Sequence, residues 1–361
     1  MSVALVVLCA VIIIALVFDY VNGFHDAANA IATAVSTRAL SPRKAVFMAA
    51  CFNFVGAFLF TGVAKTITKG IVIDGAVNQQ SLILVALLGA IIWNIITWYK
   101  GLPSSSSHAL IGGLVGVGLA HVGIEGVQWK SGVMGHVVIP GLVSPIIGLF
   151  FGYIAMLAMY WIFHTLNQKG IIKAAVNNKF KYAQWCSAAL MAFAQGSNDA
   201  QKVMGIITLA LISGATAGII EPGLIPQDII DNGEVWWPTK LACATAIALG
   251  TSAGGWRIIK TIGSKVVRLQ PINGFTADII SATVVLTTAA LGMPISTTHV
   301  VTASIMGVGA VKRFNAVRWS VANNIALAWT MTLPASAVIA MIVYYIVRLT
   351  GIIEPYAPAA M

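Results

Sequence analysis

Charge is what this sequence has least of. Only 9% of its 361 residues are Asp, Glu, Lys or Arg, against about a quarter in an ordinary soluble domain, and this excludes a soluble globule. Cysteine is nearly as scarce. Cys9, Cys51, Cys186 and Cys243 stand singly in apolar surroundings with no C-x-x-C pair, which argues against a redox or zinc centre and for simple packing. A G-x-x-x-x-G-K-[ST] phosphate loop is missing, so the chain has no visible means of using ATP. Acidic residues number 11 against 21 basic ones. The resulting net charge of +10 does not point to nucleic acid, because the basic residues fall in short clusters between apolar stretches, as cytoplasmic loops do.

Hydrophobic residues make up 58% of the chain and the mean hydropathy is +0.89. A bilayer crossing takes about 20 apolar residues, and the stretches 45–64, 81–99, 131–163, 203–220 and 319–347 are candidates. The apolar start lacks a basic leader and a cleavage pattern, so a retained first helix is expected. Basic clusters near Arg38, Lys173, Lys260 and Lys312 are placed in the cytoplasm, and the acidic stretch holding Glu221, Asp228, Asp231 and Glu234 outside. Counting crossings gives ten to twelve membrane segments in an all-α polytopic membrane protein, with both termini outside.

The chain repeats itself. Residues 101–119 (GLPSSSSHALIGGLVGVGL) align without gaps to 292–310 (GMPISTTHVVTASIMGVGA), with seven identities in nineteen. A weaker pair, NGFHDAANAI from Asn22 and QGSNDAQKVM from Gln195, shares Gly, Asp and Ala. Corresponding loops carry opposite charge bias, which predicts an inverted-topology repeat with broken or re-entrant helices, the architecture of many secondary transporters. The expected division is an N-terminal repeat over 1–165, a short basic cytoplasmic linker over 166–182 and a C-terminal repeat over 183–361.

Ionisable side chains inside membrane segments are costly and need a reason. Here they are Asp19, His25, Asp26, His108, Asp199, Lys202, Asp278 and His299. Asp26 and Asp199 are equivalent in the two copies, and Asn29 and Lys202 follow three residues later on the same helix face. One reading is a pair of structural caps, the other an ion and substrate site. Ser105, Ser106 and Ser107 in one copy and Ser296, Thr297 and Thr298 in the other follow a Gly-x-Pro, a helix-start pattern. They either cap helices only or, with the unpaired N–H groups of two helix starts inside the membrane, clasp a tetrahedral oxyanion. His25, His108 and His299 are candidates for proton coupling, against the plain reading of packed histidines. A Ser/His intramembrane hydrolase using Ser107 or Thr298 is a distant alternative, discounted because the arrangement is duplicated and lacks an evident third group. A passive anion channel is another, less suited to buried carboxylates.

At NGFHDAANA (22–30), FNFVGAFL (52–59), IIWNIITWYKGLPSSSSH (91–108), QGSNDAQK (195–202) and GMPISTTHV (292–300), the sequence resembles the inorganic phosphate transporter (PiT) family, and bacterial low-affinity phosphate permeases in particular. The resemblance covers essentially the whole chain. It implies a secondary active transporter importing phosphate across the cell (inner) membrane by symport with protons or sodium ions, and no enzyme. It implies a site built from Asp26, Asn29, Asp199 and the six hydroxyls named above, to which Asn198 and Lys202 are added from their positions beside Asp199. No cofactor and no resident metal are expected, with Na+ near Asp26 or Asp199 if coupling is to sodium. The expected partners are phosphate or sulfate, H+ or Na+ and the lipid bilayer, with a homodimer as a further option and no nucleic acid. Two departures from the family pattern, His25 in place of an asparagine and Lys202 opposite Asn29, favour protons, because a fixed ammonium takes the place of a mobile cation.

Overall fold

The computed structural model describes residues 3–70, 80–168 and 176–353, and for 69–70, 166–168 and 176–179 the backbone alone. Among the described residues every regular element is a helix. The first half holds α1 (Val3–Ser36), α2 (Pro42–Gly56), α3 (Gly62–Gly70), α4 (Gln80–Lys100), α5 (Ser106–His121) and α6 (Ile139–Gln168). The second holds α7 (Val176–Thr216), α8 (Gln227–Asn232), α9 (Trp237–Ala253), α10 (Trp256–Lys260), α11 (Pro271–Ala290), α12 (Thr297–Ala310) and α13 (Trp319–Arg348). Among the described residues, five helical stretches are long and apolar enough to cross a membrane: α1, α4, α6 with the π-helical turns that precede it, α11 and α13.

Three expectations change. The stretch 45–64 is interrupted, with α2 ending at Gly56 and α3 beginning at Gly62. Within the stretch 203–220, residues 203–216 are the last third of α7, which runs unbroken for 41 residues, about 60 Å at 1.5 Å per residue. Cys9, Cys51 and Cys186 lie exposed on the outer surface, and only Cys243 is packed inside. Part of the expected linker over 166–182, residues 169–175, lies outside the described residues, and α7 already begins at Val176.

Helices α5 and α12 are 16 and 14 residues long, about 24 and 21 Å, too short to span a hydrocarbon core of about 30 Å. Both are buried on every side through almost their whole length. The Gly-x-Pro pattern explains where they start. Gly101 (φ +65°) and Gly292 (φ +69°) adopt the left-handed conformation that closes α4 and α11. Leu102 N–H donates back to Thr97 O at 2.9 Å, and Met293 N–H to Thr288 O at 2.9 Å, the six-to-one bond of a Schellman stop. Proline next forbids helix continuation. A serine two residues later then caps the new helix: Ser105 Oγ accepts from His108 N–H at 3.1 Å, and Ser296 Oγ from His299 N–H at 3.3 Å. Each half therefore stops one helix and starts another inside the protein.

The packing is also paired. α5 packs between α4 and α13, and α12 between α11 and α6, so the last long helix of each half covers the short helix of the other. α1 packs on α9 and α7 on α2 in the same reciprocal way. Even a surface lock is repeated, for Trp129 Nε1 donates to Ile124 O at 2.9 Å and Trp319 Nε1 to Phe314 O at 3.0 Å.

Candidate functional site

Where the starts of α5 and α12 meet α1 and α7, the structure brings together every carboxylate, amide, ammonium and hydroxyl singled out from the sequence for the substrate and ion site. All of these side chains are buried. Burying so many polar groups is tolerable only if they satisfy one another, and most do.

Asp26 accepts from three directions: His25 Nδ1 lies 2.8 Å from Oδ1, Ser106 Oγ donates to Oδ2 at 3.2 Å and Thr298 Oγ1 donates to Oδ1 at 3.2 Å. Asp199 is held in a similar way. Thr297 Oγ1 donates to its Oδ2 at 3.1 Å, Asn198 Nδ2 to Oδ1 at 3.3 Å, and Lys202 Nζ lies 2.5 Å from Oδ1. Asn29 ties the two together by donating from Nδ2 to Thr298 Oγ1 at 2.9 Å and Thr297 Oγ1 at 3.3 Å.

Lys202 has three donors and three acceptors, the other two being Ser107 Oγ at 2.5 Å and Ile295 O at 3.1 Å. It is a fully paired buried ammonium. The cluster sets two carboxyl groups, Asp26 and Asp199, against one ammonium, Lys202, with the His25 ring against Asp26. Unpaired acceptors remain: Asn29 Oδ1 and Asn198 Oδ1 have no hydrogen-bond partner. These two oxygens, together with the carboxylates and hydroxyls, are what the site could offer a cation such as Na+.

The six hydroxyls divide by role. Ser105 and Ser296 are the helix caps, whereas Ser106, Thr297 and Thr298 donate to carboxylates and Ser107 meets Lys202 and Ile295 O. By helix geometry the first N–H groups of α5 and α12 have no intrahelical acceptor, and the two starts present their positive dipole ends to the same place. Ser104, which the repeat pattern alone does not place in the site, supports it indirectly by donating to Thr97 Oγ1 at 2.8 Å and lying 3.3 Å from His25 Nε2. Thr97 itself lies 3.1 Å from that nitrogen. Thr97 comes from the end of α4, four residues before the aligned stretch begins, and Thr288 stands at the same place in the second half.

The histidines separate into two places. His25 belongs to the polar cluster. His108 and His299 face away from it, with ring centroids 4.9 Å apart and Trp329 4.2 Å from His299. They line an apolar cavity of about 520 Å³ between α6 and α13, whose other walls include Pro145, Leu149 and Leu333. Neither candidate nucleophile touches a histidine, since Ser107 Oγ donates to Ile295 O at 3.3 Å and Thr298 Oγ1 to Asp26. One stretch does spell G-x-S-x-G, Gly250 to Gly254, but it closes helix α9, and Ser252 Oγ donates to Leu249 O at 2.6 Å. It is a helix end rather than the strand-to-helix elbow of a hydrolase.

A second buried carboxylate cluster lies further along α1. Asp278 on α11 accepts from Thr33 Oγ1 at 2.7 Å and Ser187 Oγ at 3.0 Å. It joins α1, α7 and α11 near the C-terminal end of α1. The last intramembrane acid, Asp19, joins neither cluster.

Comparison with known proteins gives one consistent answer. The model of the phosphate transporter family matches residues 22–340. A protein of Bacillus subtilis named "probable low-affinity inorganic phosphate transporter" is 45% identical over 97% of this chain and 99% of its own. One of the same name from Rhizobium meliloti is 45% identical over 95% of this chain and 97% of its own. A solved structure named "The sodium-dependent phosphate transporter" superposes with a TM-score of 0.80 at 28% identity, covering 95% of this chain and 99% of that one.

Proposed function

The chain belongs to the phosphate transporter family and is a multi-pass membrane transporter, not an enzyme; from that premise we propose that it imports inorganic phosphate by symport with protons. The observation that carries this reading is the excess of carboxyl groups over ammonium groups in the cluster. Two carboxylates and one ammonium stand where the anion is expected, so a phosphate entering alone would meet net negative charge in a medium of low dielectric. A positive partner has to accompany it, and that requirement is symport stated in electrostatic terms.

Asp26, Asn29, Asn198, Asp199, Lys202 and the hydroxyls of Ser106, Ser107, Thr297 and Thr298 form the substrate and ion site in this reading, with Ser105 and Ser296 shaping the helix starts. Dihydrogen phosphate offers O–H donors to carboxylates as well as oxygens to hydroxyls and helix amides. Sulfate has no O–H group at neutral pH, so the paired carboxylates favour phosphate over the sulfate alternative. Lys202 supports protons over sodium, because its ammonium already fills the place beside Asp199 that a metal cation would take. The two halves, 1–165 and 183–361, are read as inverted repeats. Their reciprocal packing and matching helix starts support this. The basic clusters support a cell-membrane location with both termini outside.

Sodium coupling is the second reading, favoured by the sodium dependence for which the structural relative is named and by the unpaired oxygens of Asn29 and Asn198. Uptake of labelled phosphate into proteoliposomes under either an acid-outside pH gradient or an inward sodium gradient separates the two. Accumulation driven by the pH gradient is expected, and accumulation driven only by sodium would overturn the proton reading.

A further inference from the structure

A coupling proton needs a carrier, and the histidines are poorly placed for that role. His25 is engaged at both ring nitrogens, and His108 and His299 face an apolar cavity away from the polar cluster. Asp19 is different. It is fully buried, at 0% exposure, and neither carboxylate oxygen makes a hydrogen bond of normal geometry, its donors being one amide and one thiol at the edge of that range. The Asn22 amide and the Cys243 thiol of α9 are its polar neighbours. Across from it on α7 stand Asp199 and Lys202, whose charges act on it, while α4 buries only uncharged side chains against α1.

An ionised carboxylate with only weak donors is poorly tolerated in a protein interior, whereas a protonated one is tolerated far better. Its position matters as much as its isolation. Asp19, Asn22, Asp26 and Asn29 follow one another at spacings of three, four and three residues, so all four share one face of α1. Asp19 stands two turns, about 10 Å, on the N-terminal side of Asp26. In the second half the equivalent position is Ala192, so this carboxyl has no counterpart, just as Lys202 has no cationic counterpart in the first.

Resting on the proton-symport reading, we propose that Asp19 is the coupling-proton site. The carboxylate takes one proton from the side from which phosphate enters, and the neutral acid permits the anion to bind. It returns that proton, as the carboxylate re-forms, on the side where phosphate leaves. The linkage is electrostatic. For an anion held beside Asp26, about 10 Å along α1 from Asp19, a unit negative charge on Asp19 at an effective dielectric of about 20 weakens binding roughly tenfold, and protonation removes that penalty.

The test uses the purified full chain in proteoliposomes. Asp19→Asn is expected to lose phosphate accumulation under an acid-outside gradient while retaining phosphate–phosphate exchange. The roughly tenfold dependence of the exchange KM on pH should become flat, and Asp19→Glu should restore both. Accumulation by Asp19→Asn equal to the unaltered protein would overturn the proposal. If Asp19→Asn fails even in exchange, infrared spectroscopy of the folded protein decides. A protonated-carboxyl band that shifts in Asp19→Glu is expected, and the lack of any such shift overturns the assignment. An unaltered protein that accumulates phosphate only with sodium would refute the proton reading itself, and the proposal with it.

Discussion

Asn29 and Lys202 stand at equivalent positions, three residues after Asp26 and Asp199, and each reaches the helix start contributed by the opposite half. Asn29 donates to Thr297 and Thr298 at the head of α12, and Lys202 to Ser107 at the head of α5. The two halves are thereby laced together through the site. A change in how they sit against one another must break or remake these bonds, which is how an alternating-access machine can sense occupancy.

Replacing Lys202 tests what its charge does. Lys202→Ala leaves Asp199 buried without its cation, a change that typically destabilises by about 3–5 kcal/mol, and loss of both folded protein and uptake is expected. Lys202→Asn restores the chemistry of Asn29 and frees the place beside Asp199. That variant should lose most pH-gradient-driven uptake and become stimulated by sodium. Proton-driven transport unchanged in Lys202→Asn, measured in proteoliposomes, would remove the ammonium from the coupling argument.

Asp199→Asn addresses the same pair from the other side. The amide is close in volume but cannot balance Lys202, so the site changes by one charge while its shape is kept. Concentrative uptake is expected to fall by roughly a hundredfold or more, the loss that follows when a buried charge is left unpaired. Normal accumulation would take Asp199 out of the mechanism.

Much of this site can be read in the sequence because it is written twice. The duplicated Gly-x-Pro-x-Ser pattern locates both helix starts, and the duplicated aspartates locate the helices that face them. What the repeat does not contain stays invisible. Ser104 secures His25 although Ile295 stands at its place in the second copy, and the distance of His108 and His299 from the cluster depends on which way a helix turns after its cap. The uninterrupted α7 is hidden for a related reason. Its polar centre, Gln195 to Lys202, lowers the hydropathy of a helix whose polar side chains are satisfied by neighbours rather than by water.

Selectivity follows from the acceptors. Asp26 and Asp199 can receive the O–H groups of dihydrogen phosphate, and arsenate carries the same groups on a similar tetrahedron. Excess arsenate should therefore compete with labelled phosphate uptake, and excess sulfate should not, because its oxygens would face carboxylates with no proton between them. Sulfate competition of the same strength as arsenate would show that the carboxylates do not select the protonated anion.

The division of the hydroxyls also makes a measurable distinction. Loss of an N-cap costs about 1 kcal/mol, so Ser105→Ala and Ser296→Ala should lower thermal stability with a small change in phosphate KM. Ser106→Ala and Thr298→Ala remove donors to buried Asp26; each should cost about 1–3 kcal/mol of stability and, unlike the cap variants, also raise the KM about tenfold. The reverse pattern would mean that the caps, rather than the donors, meet the anion.

Gly23 and Gly196 let the helices that carry the two aspartates pack closely on helices of the opposite half. Each lies three residues before its aspartate, and a Cβ at Gly196 would collide with the Asn53 carbonyl of α2, one at Gly23 with the Ile247 carbonyl of α9. Asn53 Nδ2 in turn donates to Thr251 Oγ1 at 2.7 Å, so the two contacts belong to one buried seam. Gly196→Ala must push α7 away from α2. Overpacking of this kind costs about 1–3 kcal/mol, which a protein of this size can survive, yet the displacement falls one turn from Asp199 and separates it from Thr297. Folded protein with a lowered melting temperature and a much reduced uptake rate is the expected outcome. Full transport activity in Gly196→Ala would mean that the spacing of α7 from α2 does not set the position of Asp199.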